Sequence, residues 1–535
     1  MCRGTPAFFN SHYMRKKIYK WHRVLSLVIA LPVSLWAISG FMHPVMTNIR
    51  PSIATQFLAA PGIDPAQLNI SLKVCLQQHH IDSFSNMHIV QMGGQQFYQV
   101  ALDDEHLDIR YFSTRDGKLL KGGDQLYARF LAKTFLEGNT GKDRAEQQPV
   151  FTASMAMPVH DCCMIATMNV MNSHGAKIAG VEQITHFDDE YKYINRLLPA
   201  YKVSFDRGDG IRIYVETFSG RFGYAVDNKR SAFDTFFGIC HTWQWMDALG
   251  DTKYYFMIAL TSAAFLTTVL GLYIFFTTKT KRSDKPVMKA RRNHRYTSLI
   301  ASLFTLMFTF SGGFHALEKV LPQDALHSYI PQKFSGEDAD IDFAEIDSLA
   351  GSRKIQKISL CRMNGKTYRQ VYPKMNMSKA DGRTDLMKSM SAPQQEVLYI
   401  SSGDYRILND GDRQYAVWLA SGFSRQAPSG IVPVTTFTDE YGFVNKRLPV
   451  WKVSYATNDN ERYYIETSTG VLSTRVRDKD LAEGYSFAFL HKHHFMDWAG
   501  KMARDISTMF GAAMQVAMVC IGLLLYFRYV RRRSL

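Results

Sequence analysis

Residues 21–43, WHRVLSLVIALPVSLWAISGFMH, and residues 294–315, HRYTSLIASLFTLMFTFSGGFH, decide the fold of this 535-residue chain. Each is an apolar run with a histidine near either end. In both, the two histidines stand 21 residues apart: His22 and His43 in the first, His294 and His315 in the second. At about 1.5 Å per helical residue this spacing is close to the ~30 Å hydrocarbon thickness of a bilayer. Each run reads as a spanning helix with one imidazole near each membrane face. At about 100° per residue, 21 steps bring the second ring to within roughly 60° of the first, so both can face one interhelical seam.

Four apolar spans, at about 24–42, 254–276, 296–314 and 507–527, are long enough to cross as helices. Basic clusters (Arg15-Lys16-Lys17, Lys279 to Arg282, Lys289 to Arg292, Arg531-Arg532-Arg533) flank them. Their placement predicts cytoplasmic termini and a cytoplasmic loop at 278–293, with the two long connections on the other side. The formal charge of +15 and 46% hydrophobic content therefore read as membrane topology plus soluble parts. No nucleic-acid motif or aromatic-basic interleaving is found, so nucleic acid is not an expected partner. The first span is expected to be a retained anchor, because it is long, holds a histidine and lacks a small-residue cleavage site before Pro44. The seven cysteines form no CxxC, which argues against a disulfide framework and against covalent haem attachment through CxxCH.

An internal repeat organises the rest. DEYKYINRLLPAYKVSF at 189–205 matches DEYGFVNKRLPVWKVSY at 439–455, and YVETFSG at 214–220 matches YIETSTG at 464–470, both at an offset of 250. The same offset carries His241 onto His491 and Met246-Asp247 onto Met496-Asp497; on the first helix of each half an offset of 272 carries His22 onto His294, Ser39-Gly40 onto Ser311-Gly312 and His43 onto His315. The long connections alternate apolar residues with Gly turns near 95–120, 211–226, 397–408 and 461–476, which predicts hairpins; short helices are expected at 71–79 and 343–350. The expected class is a membrane protein with four transmembrane α-helices in two tandem repeats and two large α+β insertions. Asp381 to Ser391 reads as a mobile loop.

Paired spans with terminal histidines around modules ending in YVETFSG or YIETSTG resemble the PepSY-associated transmembrane family, which includes inner-membrane ferric-siderophore reductases. The resemblance covers essentially the whole chain. It implies a bacterial inner-membrane protein laid out as cytoplasmic N-terminus and first helix (1–45), periplasmic PepSY-like domain (46–240), second helix (241–277), cytoplasmic loop (278–293), third helix (294–316), second periplasmic domain (317–490), and fourth helix with basic tail (491–535). It also implies two haem b groups between the helices, electrons from a cytoplasmic or quinol donor, and a periplasmic ferric-siderophore or related iron complex as acceptor. Competing readings are a periplasmic sensor or peptidase regulator anchored by four helices, or a haem or metal uptake component.

Two neutral imidazoles make a saturated low-spin haem iron that passes electrons without binding oxygen. Four rings at matched membrane depth need a partner, and the small residues Ser39-Gly40 and Ser311-Gly312-Gly313 would admit a flat macrocycle. The expected pairs are His22 with His294 and His43 with His315. His241 and His491 stand at the same face as the second pair and could replace it. The competing reading places His22 and His294 among interfacial basic residues, and His43 and His315 at helix ends. Residues 155–174 collect the soft ligands His160, Cys162, Cys163 and Met164, a candidate copper or iron site or simply a Met- and Cys-packed core. Asp188-Asp189-Glu190 and Asp439-Glu440 could hold Fe²⁺ or brace their own module. No Walker motif, nucleophile elbow, HExxH or strand-to-helix GxGxxG is found, so hydrolysis and a bound nicotinamide have no support.

Overall fold

A computed structural model describes residues 7–56, 58, 62–138, 176–279, 284–321, 329–351, 353–374 and 396–530. The candidate ligands His160, Cys162, Cys163 and Met164, and the loop 381–391, lie outside the described residues. The chain forms two compact units. One is made of Met1–Ile49, Ala232–Asp324 and Lys479–Leu535, the other of Arg50–Ser231 and Ala325–Asp478.

The first unit is built on four long helices, Ala7–Asn48, Thr252–Thr277, Pro286–Val320 and Gly500–Leu525, all apolar and long enough to cross a membrane. Pro286 opens the third, where a missing N–H costs no hydrogen bond. Gly250 and Gly500 take φ of 55° and 84° and let short 3₁₀ turns reverse into the second and fourth helices, a conformation that a side chain would strain. The first helix packs against the second and fourth, and the third against the same two, so the first and third face each other across the bundle diagonal. Leu31, Phe276, Leu303 and Leu524 stay exposed on the outside of this bundle, as lipid contact requires. Inside it Ser39, Ser311, Thr305 and Ala264 are buried; such small residues let helices approach closely where no hydrophobic drive pulls them together.

The second unit is a set of antiparallel sheets with helices packed on them. Strands 177–184, 200–206, 212–216 and 221–226 form one four-stranded sheet in sequence order, and 430–434, 450–454, 462–466 and 471–476 another. Their registers correspond: Tyr201 faces Val215 and Arg212 faces Val226, while Trp451 faces Ile465 and Arg462 faces Val476. The predicted hairpins all fall on paired strands, and the short helices on Leu72–Gln78 and Phe343–Leu349. Strands 86–92, 95–101 and 109–113 form a three-stranded sheet. It shares one core with the sheet at 355–373, in which Leu76, Met87, Tyr98, Ile346, Ile358 and Val371 are buried together. The two insertions thus join into a single body.

Buried polar chains tie each sheet to its Gly turn. Gln99 Nε2 donates to Tyr111 Oη (2.7 Å) and to Thr217 O (2.9 Å), and Tyr111 donates to Asp124 (2.8 Å). Gln370, Tyr399, Thr467 and Asp412 repeat this network at 2.7, 2.9 and 2.8 Å. The acidic groups brace their own modules. Glu190 accepts from Arg212 Nη2 (2.7 Å) and Tyr214 Oη (2.6 Å), and Glu440 from Tyr464 Oη (2.7 Å) beside Lys452 Nζ (2.9 Å).

Candidate functional site

At one end of the bundle His22 and His294 line a single cavity of about 290 Å³ to which all four helices contribute. Its walls are almost wholly apolar, from Ile29, Val33, Leu299 and Val519, with Arg23 and Arg295 one residue beyond the two histidines. Two glycines make room for the rings. A Cβ on Gly271 would stand 3.0 Å from His22 Nε2, and one on Gly522 would stand 3.3 Å from His294 Cε1. Ser26 Oγ lies 3.1 Å from His22 Nδ1. The corresponding His294 Nδ1 and Ser298 Oγ are buried with no hydrogen-bond partner among the described residues. Buried polar atoms in this state are rare, because each lost bond to water is not replaced.

At the other end the segments that lead into the second and fourth helices meet. The ring centroids of His241 and His491 are 5.9 Å apart with planes at 82°. Each ring is held in the same way. Ser39 Oγ donates to Leu35 O at 2.6 Å and lies 3.0 Å from His241 Nδ1; Ser311 Oγ donates to Met307 O at 2.9 Å and lies 3.1 Å from His491 Nδ1. A hydroxyl whose proton points to a carbonyl can only accept from the ring. With the serine proton on the carbonyl, each imidazole takes the Nδ1–H tautomer and leaves its Nε2 lone pair open.

His43 and His315 flank this pair. Phe237 stacks on His241 at 4.4 Å and packs on His43 at 5.4 Å; Phe487 stacks on His491 at 4.7 Å and packs on His315 at 5.2 Å. His315 Nδ1 is also paired with Glu483 at 2.6 Å, on a side chain 44% exposed. The halves diverge one step further on. Trp243 stacks on Trp36 at 5.2 Å, whereas its counterpart His493 stacks on Phe308 at 5.3 Å and bonds Ser507 through Nδ1 at 2.9 Å.

Each histidine pair could supply the two axial nitrogens of an iron porphyrin. Among the described residues no three His, Cys, Asp or Glu side chains converge to hold a bare metal ion. The expected pairing of His22 with His294 corresponds to one shared cavity. At the other end the rings in contact are His241 and His491, with His43 and His315 beside them. Sequence reasoning treated Ser39 and Ser311 only as small residues; their place one turn before His43 and His315 was the available signal for a hydroxyl on the same face. Gly271 and Gly522 were missed, since nothing local distinguishes a packing glycine in an apolar span. No family model and no curated protein matches this chain.

Proposed function

We propose that this protein is an inner-membrane haem b carrier, built from two tandem copies of one unit, that moves electrons across the bilayer to a ferric complex in the periplasm. The observation that carries this reading is the pair His241 and His491, each fixed by a buried serine as the tautomer with Nε2 left to bind. Two imidazoles that share one metal through bonds of about 2 Å have centroids on the order of 6 Å apart, which the 5.9 Å separation fits. At the other end the unpartnered His294 Nδ1 and the glycine-backed seats support a second site of the same kind. There Arg23 and Arg295 are placed to neutralise acidic substituents of a macrocycle.

Haem b supplies, when bound, a one-electron iron couple at each site. The chain's residues do the remainder. His22, His294, His241 and His491 would hold the metal, Ser39 and Ser311 orient the rings of His241 and His491, and the mainly apolar walls around His22 and His294 would seat the macrocycle. Ser39 lies one turn nearer His22 than His43 does, so using His241 rather than His43 shortens the span between the two pairs by about 6 Å. One electron delivered to Fe³⁺ in a hard oxygen chelate gives Fe²⁺, which such donors hold less firmly, and the metal is released for uptake.

The deciding experiment is an optical spectrum of the purified chain, oxidised and then reduced with dithionite, with haem counted per chain. Two b-type haems are expected. A colourless protein overturns the proposal and favours the regulator anchored by four helices. A second expected result concerns the glycines: Gly271→Val displaces the His22 ring and lowers haem content by about one per chain, whereas Gly40→Val, which meets nothing within 4 Å, leaves the content unchanged.

A further inference from the structure

Where the two insertions meet, the second unit encloses a cavity of about 490 Å³, within the ~300–1,000 Å³ of small-molecule sites. Its lining includes Arg196, Arg447, His106, Phe218, Tyr329 and Asp104. Donors there are uncommitted. Arg447 spends Nη1 on Glu466 (2.5 Å) and Thr469 (3.5 Å), and its Nε and Nη2 make no hydrogen bond among the described residues. Arg196 gives Nη1 to Tyr193 Oη at 2.7 Å, and its Nε is buried without a partner. His106 stacks on Phe218 at 3.8 Å, and burial lowers its pKa, so the ring is neutral and offers one N–H.

Of the acids on the lining, Glu216 and Asp104 are held by hydrogen bonds and Glu105 is exposed. Both oxygens of Glu216 accept from its own turn, from Phe218 N (3.0 Å), Ser219 N (3.0 Å) and the Ser219 hydroxyl. Asp104 Oδ1 accepts from Gln332 N at 3.3 Å. Behind the wall Arg221 and Arg447 share the single carboxylate of Glu466, and Lys357, whose pKa burial pulls down to about 8, is still charged at neutral pH. With Arg196 these cations balance Glu466, Glu216, Asp104 and Glu105, so what the cavity offers a ligand is directed N–H donors rather than an excess of charge. The fold does not require these cations: at the 250 offset Arg447 corresponds to Leu197 and Arg221 to Val471, and the equivalent turn at Glu216 closes on backbone N–H groups and the Ser219 hydroxyl.

We infer that this cavity binds a carboxylate-bearing small molecule, gripped by the guanidinium groups of Arg196 and Arg447. A guanidinium fork matches the two oxygens of a carboxylate, and the aromatic side chains of His106, Phe218 and Tyr329 give the carbon body of an organic acid a surface that inorganic phosphate cannot use. The inference does not rest on electron transfer. The test is calorimetric titration of the detergent-solubilised full chain with citrate and with ferric citrate, each repeated in the presence of inorganic phosphate. Saturable binding is expected, weakened about tenfold or more by Arg196→Gln, as loss of a charged hydrogen bond implies. Thr185→Trp, which fills the cavity from an exposed lining position, is expected to weaken it similarly. Equal binding of both forms identifies a free organic acid, and binding of the ferric form alone identifies an iron chelate; either supports the inference. It is overturned if neither form binds, if both variants bind as wild type does, or if phosphate competes at equal concentration. The readout needs no haem, so a colourless preparation that binds citrate, or a haem-loaded one that does not, separates this inference from the proposed function.

Discussion

His241→Ala is expected to remove one of two haems per chain and to stop reduction of an external ferric chelate, and His491→Ala to do the same. Each ring supplies one of only two protein bonds to the metal in this reading. Ser39→Ala, which removes the hydroxyl that fixes the His241 tautomer, is expected to weaken haem retention by about 10–100-fold, the usual cost of losing an outer-shell partner. His43→Ala and His315→Ala are expected to keep both haems. Haem per chain, measured after denaturing extraction, separates these outcomes. If His43→Ala or His315→Ala strips a haem while His241→Ala does not, the pair carried on the first and third helices is the ligand pair and the assignment to His241 and His491 is wrong.

Much of the membrane unit was legible, because the signals that fix it are local. Apolar length marks four spans, and matched histidines at 21-residue spacing place rings near both faces of the first and third helices. The choice at the second site was not legible. His241 follows directly on the helix Asn228–Cys240 and His491 closes the π turn Phe487–His491, and periodicity cannot say how far such segments carry a ring over the end of a neighbouring helix. In the insertions, alternation and Gly turns identified the hairpins. The join between the two insertions was not readable, since residues from about 63 to 112 and from about 334 to 400 share a core across more than 200 residues of chain, where no periodic signal reaches. The same limit hid Arg221 on Glu466. Within its own half Arg221 is one more polar residue on a strand.

Glu466→Gln is expected to destabilise the unit that holds it by about 3–5 kcal/mol, the scale for breaking a buried ion pair by removing one partner. Glu466 is 1% exposed and accepts from Arg221, Arg447 (2.5 Å) and the Thr469 hydroxyl. Lys357, half-buried, lies in the same field. Removing the carboxylate charge leaves two largely buried guanidinium groups and an ammonium without their shared partner, with Glu216 the acid that still acts on Arg221 and Lys357. Glutamine keeps the shape and one acceptor oxygen, so the loss reads charge rather than packing. At roughly 2–4 °C per kcal/mol the melting temperature should fall by about 10 °C. The pH dependence follows from the sign. Burial alone would raise the Glu466 pKa, but the two arginines hold it well below the ordinary carboxylate range. Its contribution is therefore complete above the unfolded value near ~4.3 and is lost as pH falls through the lower folded value. Wild type should accordingly approach the variant's stability only in acid, and the gap between them should be widest and level between about pH 5 and the onset of Lys357 titration below its value of about 8. A thermal melt series across that range measures it. A gap already closed at pH 7 would mean that the arginines find other partners and that Glu466 does not hold the two insertions together.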